Sequence, residues 1–431
     1  MTAGRTAASA AAGTAPDTAA RTAAAVETVF RIESARIIAG VTRVVRDVGI
    51  AEEIAQDALV AALERWPESG VPDNPGAWLM ATAKHRAIDL VRRKETYARK
   101  LAEVGRTLED APPPPEPAGP EDIDDDLLRL IFTACHQVLA APARIALTLR
   151  LLGGLTTSEI ARAFLVPEAT VAQRIVRAKR ALAKARVPFE VPYGSDRADR
   201  LSSVLEVIYL VFNEGYSATA GDDLVRPALC EDALRLARVL ANLMPGEPEV
   251  HGLAALLEFQ ASRIPARTGP DGEPVLLADQ NRARWNRMLI RRGVDALHRA
   301  GRGPYSLQAA IAACHAMATR YEDTDWAAIA ALYDQLLALC PSPVVELNRA
   351  VAVSMSEGPA AALKLVDALT GEPALKSYHL LPSVRGELLD RLGRAAEARE
   401  EFERAAALAH NVRERELLLG KAARAGSRPG S

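Results

Sequence analysis

"SEIARAFLVPEATVAQRIVRAKRALAKA", Ser158–Ala185, reads as a helix, a sharp turn and a second, basic helix. Thr156 and Glu159 fit a capping box that starts the first helix, and its Ile160, Ala161 and Phe164 point inward. Leu165 and Val166 make the turn. Pro167 suits the first position of the next helix, where its missing N–H is not needed. In that helix Val171, Ile175, Ala178 and Leu182 recur at i, i+4, i+7 and i+11, which buries one side. The other side carries Thr170, Gln173, Arg174, Arg177 and Arg180. Seven basic residues and one acid, Glu168, lie between Arg162 and Arg186. Such a stripe hydrogen-bonds phosphates and brings Gln or Arg to base edges in a major groove. A solvated Arg/Lys face is the bland alternative, but spacing, turn and local charge together favour DNA contact.

The motif sits mid-chain, in a sequence of 431 residues that implies about two to four domains. Hydrophobic content of 49% suffices for folded cores, while 4% aromatics and abundant alanine point to closely packed helices, an all-α fold. The net charge is −2, so any attraction to nucleic acid must be local. Cys135, Cys230, Cys314 and Cys340 are far apart without a C-x-x-C pair; they read as buried thiols of a reducing compartment, and no metal site is expected. "MTAGRTAASAAAGTAPDTAAR" lacks the continuous apolar core of a signal peptide, and no later run is long enough to span a bilayer. A cytoplasmic protein with no membrane partner is expected.

Residues 1–23 read as a disordered tail. In "AEEIAQDALVAALERW" (Ala51–Trp66), Leu59, Leu63 and Trp66 form an apolar face opposite Glu53, Gln56, Asp57 and Glu64. A loop follows, then "AWLMATAKHRAIDLVRRK", with Leu79, Ala83, Ala87 and Leu90 on a core face. These elements make a helical domain over 24–104. "TLEDAPPPPEPAGPEDIDDD" (Thr107–Asp126) has four consecutive prolines and eight acids, so 105–126 reads as an extended, solvated linker. The helix–turn–helix domain occupies 127–188 and a helical extension 189–315. The tail of the chain, 316–425, repeats weakly: Gly358 and Ala361 match Gly393 and Ala396 at a shift of 35 residues, close to the ~34 of a tetratricopeptide hairpin.

A second basic island, Lys84–Lys100, carries seven basic residues against Asp89 and Glu95. Two basic helical domains on one tether suggest two DNA elements read at a set separation, the second docking at a raised effective concentration. Taken in order, "AEEIAQDALVAALERW", "NPGAWLMATAKHRAIDLVRRK", the acidic linker and "LTTSEIARAFLVPEATVAQRIVRAKRALAKA" resemble a bacterial extracytoplasmic-function (ECF) sigma factor of RNA polymerase. The resemblance covers about residues 24–187 and makes 24–104 sigma region 2 and 127–188 sigma region 4. It implies that Thr170, Gln173, Arg174, Arg177 and Arg180 read the promoter's −35 element. It implies that Glu53, Gln56 and Asp57 grip the clamp helices of the polymerase β′ subunit, with the β flap as a further partner. Glu68–Asn74 and Trp78 would hold a flipped −10 base, and Lys84, Arg86, Arg92 and Arg93 the backbone phosphates. His85 stands where the family's "A-R-N-R-A-I-D" has asparagine, which bears on −10 preference. Alone, the acidic face also fits a solvated helix side, and Trp78 also fits core packing.

About 240 further residues, all helical in pattern, resemble the sigma subgroup with a C-terminal tetratricopeptide-like extension. The resemblance implies that this half contacts the sigma domains and regulates them in cis, in place of a separate anti-sigma protein. Two segments stand out: "IYLVFNEGYSATAGDDL", with Asn213, Glu214 and Tyr216 at a helix end, and "ASRIPARTGPDGEPVLLADQNRARWNRM", with Arg263, Arg267, Asp279, Gln280, Arg282 and Trp285 around a Gly/Pro loop. They read either as caps and an ion-paired loop or as a groove for a ligand, a peptide or the sigma domains. Seven histidines include no H-x-x-x-H pair, and no G-x-S-x-G, Walker loop or G-x-G-x-x-G occurs, so neither catalysis nor a cofactor is expected. The runner-up function is a stand-alone helix–turn–helix regulator with a ligand- or peptide-sensing repeat domain.

Overall fold

The computed structural model describes residues 15–103, 120–164, 166–218 and 223–426. The described residues are all-α, eighteen α-helices joined by turns and short 3-10 segments, with one isolated β-bridge between Thr268 and Pro274. They divide into two compact units, one ending at Val207 and one starting at Ile208, with Ala163 and Phe164 grouped with the second. Among them, no helix is long and apolar enough to cross a membrane.

In the first unit, α1 (Ala15–Val45) packs against α2 (Val48–Ser69) and α3 (Pro75–Glu103). The tail expected over 1–23 is helical from Ala15, in keeping with the helix propensity of its alanines; residues 1–14 lie outside the described residues. The expected core face of α2 needs correction. Leu63 is exposed and Leu59 half-buried, whereas Ala51, Ile54, Ala55, Ala58, Ala62 and Trp66 are buried. Alanine adds little bulk, so the helices close along the alanine seam and the larger leucines are left outside it.

The segment expected as an extended linker over 105–126 becomes helical at Pro120, where α4 (Pro120–Ala134) starts and packs on α1. Its remaining part, 104–119, lies outside the described residues. Asp126 is buried, 3.4 Å from Nε of Arg43 and accepting from Nη1 of Arg129 at 2.8 Å. Burial raises its carboxyl pKa, and the two arginines pull against that rise. The acid is therefore part of a packed ion-pair group rather than a solvated spacer.

Helices α5 (Ala141–Leu151), α6 (Thr157–Ala163) and α7 (Glu168–Lys184) follow, and α8 (Gly194–Tyr216) contributes its first half to this unit. Ser203 Oγ donates to the carbonyl of Cys135 at 2.8 Å, and Arg144 reaches Glu206 at 3.1 Å. Gln137 Nε2 donates to the carbonyl of Asp199 at 3.2 Å. Residues beyond Pro188 thus complete the core of the helix–turn–helix half, and the boundary expected at 188 falls at Val207.

The second unit contains α9 (Pro227–Leu243), α10 (Pro248–Ser262), α11 (Arg287–Leu297), α12 (Pro304–Met317), α13 (Trp326–Leu339) and α14 (Pro343–Ser356). It continues with α15 (Pro359–Ala368), α16 (Leu380–Arg391), α17 (Ala395–Leu408) and α18 (Val412–Gly426). Proline opens α9, α10, α12, α14 and α15, where it surrenders only an N–H that the first turn leaves unpaired. The last six helices pair in sequence as hairpins that begin at Trp326, Pro359 and Ala395. Gly358 and Gly393 precede the second and third hairpins at φ +97 and +77. Ala396 is exposed and Ala361 only half-buried; the buried small residues are Ala362 and Ala398, one residue further apart than the glycines. Asn411, fully buried, caps α18 through Oδ1 and donates Nδ2 to the carbonyls of Ala218 and Asp223 at 3.2 and 3.0 Å. Chain ends of this unit are thereby tied together.

The cysteines are unpaired, as expected, but not uniformly buried. Cys135 and Cys230 are enclosed, with thiols pushed up by burial to about 11 and about 12; Cys314 is half-buried and Cys340 exposed.

Candidate nucleic-acid interface

The Thr156–Glu159 capping box forms reciprocally: Glu159 N donates to Thr156 Oγ1 at 3.2 Å and Thr156 N to Glu159 Oε2 at 2.7 Å. Ile160 and Ala161 are buried and Phe164 is half-buried. Pro167 is the cap residue itself and α7 begins one residue later, at Glu168; Leu165 lies outside the described residues. Within α7, Val171, Ile175, Ala178 and Leu182 are all buried. Gln173, Arg177 and Arg180 are exposed, with Thr170 and Arg174 at the edge of the buried face. The helix therefore fixes its apolar stripe in a core and presents Gln and Arg to solvent, as a groove-reading helix requires.

One residue of α7 that the sequence did not single out faces inward. Lys179 pairs with Glu52 on α2, and Arg150 on α5 donates Nε to the same carboxylate at 2.6 Å. Glu52 is only 5% exposed. Gln56 adds an Nε2 donor to its Oε1 at 3.1 Å. The helix–turn–helix half is thus latched onto α2 through one buried acid and two cations. "AEEIAQ" gives no hint which of its adjacent glutamates is buried, because only the placement of α5 and α7 distinguishes Glu52 from exposed Glu53.

On α2 and α3, Asp57 is exposed and pairs with Arg86 at 3.5 Å. Asn74 caps α3, accepting from Ala77 N at 3.0 Å. Glu68 belongs to the last turn of α2, and the turn after it is made by Gly70 at φ +82. Trp78 is half-buried and meets Trp66 edge-on with ring centroids 5.4 Å apart. Its ring is therefore held by packing while part of it stays accessible. His85, Arg86, Arg92 and Arg93 are exposed and Lys84 is half-buried, so the island on α3 is a solvent-facing basic surface.

In the second unit the residues singled out around the Gly/Pro loop come together only in part. Asn213, Tyr216 and Arg263 line a cavity of about 310 Å³, with Tyr209, Gln260, Gln308, His315, Tyr333 and Asn348 among the other wall residues. Arg267 stacks on Tyr216 at 3.6 Å, outside that cavity wall. Trp285 is buried, with the guanidinium groups of Arg263 and Arg282 at 5.3 and 4.6 Å from its ring. Arg263 Nε also donates to Gln280 Oε1 at 3.3 Å. Glu214 turns to Arg226 in an ion pair, and Asp279 is exposed in a 3-10 turn. His315 is neutral near pH 7: burial first, then Arg263 and Arg282, lower its pKa to about 4. Sequence reasoning missed Gln260, Gln308, His315 and Asn348. The signal was available on α12, where Gln308 and His315 share the i, i+3, i+4, i+7 face of Ile311 and Ala312.

Comparison with known proteins matches the two halves of the first unit separately. Residues 30–96 match the family described as Sigma-70 region 2, and residues 129–182 the family described as Sigma-70, region 4. Residues 200–301 match a family of unknown function, DUF6596. An uncharacterized protein of Rhizobium meliloti (strain 1021) is 48% identical over 383 residues, covering 86% of this chain and 89% of its own. The ECF RNA polymerase sigma factor SigK of Mycobacterium sp. (strain KMS) is 31% identical over 144 residues, 32% of this chain and 72% of its own. Its counterpart from Mycolicibacterium vanbaalenii is 30% identical over 154 residues, 35% of this chain and 76% of its own. With region 2 and region 4 in order and an exposed basic face on the second helix of the latter, this chain belongs to the ECF sigma factors of RNA polymerase.

Proposed function

We propose that the chain directs core RNA polymerase to promoters by reading the −35 element with Thr170, Gln173, Arg174, Arg177 and Arg180. The observation that carries this reading is the division of α7 into a fully buried apolar face and an exposed Gln/Arg face. Asn74, Trp78 and His85 serve the −10 element, the last two as accessible rings beside the backbone-binding cations, half-buried Lys84 and exposed Arg86, Arg92 and Arg93. Asn74 already spends its side chain as a helix cap, so its part in base contact comes through the chain path it fixes. Glu53, Gln56 and Asp57 form the contact with the β′ clamp helices, and region 4 meets the β flap. Gln56 and Asp57 exchange intramolecular partners, Glu52 and Arg86, when polymerase binds.

We propose further that the helical half beyond Val207 regulates the sigma regions in cis. Its support is the length of the extension and the relative of similar length from Rhizobium meliloti, which shares it. Promoter-directed transcription by core RNA polymerase tests both parts. Arg177→Ala should weaken −35 recognition by about 1–3 kcal/mol at one base pair if it makes a base contact. An unchanged −35 preference removes that assignment. A fragment ending at Val207, compared with the full chain, should differ in activity; equal activity would end the cis-regulatory reading.

A further inference from the structure

The cavity of the second unit has walls that are mismatched with an empty or purely structural space. Five helices supply it: Tyr209, Phe212, Asn213 and Tyr216 from α8, Leu256, Leu257 and Gln260 from α10, the Gln308–His315 face of α12, Tyr333 and Leu336 from α13, and Val345 and Asn348 from α14. Gln260 Oε1 and His315 Nδ1 are buried without a hydrogen-bond partner. Half-buried Asn213 and exposed Asn348, without a side-chain hydrogen bond among the described residues, add two carboxamides to the same wall. Buried polar groups are normally paired, and an orphan costs about 1–3 kcal/mol. Two buried orphans, Gln260 Oε1 and His315 Nδ1, on the wall of one space mean that something else completes them.

The composition of the wall narrows what that is. Arg263 is its one ionised side chain at neutral pH among the described lining residues, and no carboxylate stands opposite it. An amine or zwitterion would bring a cation against Arg263 with nothing to pair it. A polyphosphate would bring several charges to a single guanidinium. The carboxamides of Asn213, Gln260 and Asn348 each offer a donor and an acceptor, the pattern that matches an amide. The remainder is apolar or aromatic: Phe212, Leu256, Leu257, Ile311, Leu336 and Val345. A volume of about 310 Å³ lies at the small end of the ~300–1,000 Å³ range of ligand pockets. It equals the share of roughly ten waters at about 30 Å³ each.

We infer that this cavity binds a small monocarboxylate with an amide group and an apolar side chain, of the size of an N-acylated amino acid. The carboxylate pairs with Arg263, the amide is read by Gln260, Asn213 and Asn348, and the apolar chain lies against Leu256, Ile311 and Leu336. The inference concerns the second unit alone and stands independently of any effect on transcription.

The test is binding to the full chain by thermal shift and titration calorimetry. The probes are N-acetyl-leucine, N-acetyl-methionine and N-acetyl-phenylalanine, each beside its uncharged carboxamide counterpart. At least one acid should bind one-to-one, and its carboxamide at least tenfold more weakly. Gln260→Leu should leave the melting temperature of the free chain unchanged or raised, because it removes a buried unpaired acceptor, Asn348→Leu should leave it unchanged, because that amide is exposed, and each should weaken the acid at least tenfold. Gln335→Leu, exposed on α13 and outside the cavity wall, should keep binding within threefold. The inference is overturned if none of the acids binds at millimolar concentration. It is equally overturned if the carboxamides bind as well as the acids, or if the Gln260 and Asn348 variants both bind like the wild type. A loss of melting temperature in both of these variants would also overturn it, since their amides would then be holding the fold.

Discussion

Replacing Glu52 by glutamine keeps the shape of the side chain and removes the charge that latches region 4 to α2. With charge centres about 4 Å apart and an effective dielectric near 20, each of its pairs is worth about 4 kcal/mol before desolvation. Burying the carboxylate takes several kcal/mol back, so the net benefit of the intact latch is small. Its removal is not small. Arg150 and Lys179, each 22% exposed, would face one another across a neutral amide. Deleting one partner of a buried pair costs about 3–5 kcal/mol, and the solvent reaching the two cations favours the lower end, about 3 kcal/mol. At about 1.4 kcal/mol per tenfold, opening of α7 from α2 becomes about a hundredfold more frequent. Hydrogen–deuterium exchange of the full chain reads this directly. Peptides from the first half of α2 and from α7 should exchange about a hundredfold faster, while α17 in the second unit keeps its wild-type rate. Exchange within threefold of wild type in both peptides would refute the latch. A uniform loss including α17 would refute its local character. Glu52→Met with Arg150→Met and Lys179→Met should restore much of the protection, since buried ionic groups are replaceable as a whole by apolar side chains of similar volume.

Three further outcomes follow from packing and titration. A Cβ on Gly252 would meet the backbone N of Ser306 at 2.7 Å, so Gly252→Ala should destabilise the chain by about 1–3 kcal/mol despite alanine's better helix propensity; an unchanged melting temperature would show that α10 and α12 can separate. Alkylation by iodoacetamide at pH 8 should modify exposed Cys340 first and leave Cys135 and Cys230 intact in the folded chain, as mass spectrometry of timed samples would show. His315, with a folded pKa of about 4 against 6.5 unfolded, binds its proton more readily in the unfolded chain. Its contribution is therefore complete above pH 6.5 and lost as pH falls toward 4, by about 3 kcal/mol in all. Urea titrations followed by Trp285 and Trp326 fluorescence should show that loss in the wild type and a flatter profile in His315→Asn; parallel profiles would reject His315 as the source.

The sequence carried those parts whose physics is local. Thr156 and Glu159 cap within four residues of each other, and the α7 stripe repeats at helical spacing, so both were legible and both formed. Leu59 and Leu63 misled because hydrophobicity alone ranks leucine above alanine. In this chain, close helix approach makes alanine the buried residue and leaves Leu63 outside. The linker misled for a related reason. Its acids from Glu121 to Asp126 look solvated in isolation, but the arginines that pair with Asp126 come from α1, far away in sequence, and from Arg129 one turn on. Glu52, Gln260 and Asn348 were invisible or unread because each acquires meaning only from partners on other helices. Of the groove residues chosen from the sequence, Asn213, Tyr216 and Arg263 share the cavity, while Glu214 was claimed by Arg226.

The charge inventory explains how a chain of net charge −2 can serve a polyanion without being drawn to it. Its overall field offers no attraction, so on the proposed reading affinity for duplex comes from the stripe on α7 and the island on α3. Part of the cation supply of these two helices is neutralised internally: Lys179 by Glu52 and Arg86 by Asp57. Each phosphate contact made with one of these side chains replaces an existing pair rather than adding a new one, which lowers the net gain. Both acids lie on α2. If polymerase takes the acidic face of α2 as proposed, Asp57 gives up Arg86 at the moment when DNA is offered, and the cation becomes available where it is needed. Binding to polymerase and binding to promoter are then coupled through shared charges, with no movement required beyond an exchange of partners. Asp57→Asn separates the two effects: it should raise the free chain's affinity for duplex at low salt while lowering its affinity for core enzyme. A variant in which both affinities fell together would show that Asp57 orders α3 rather than screening it.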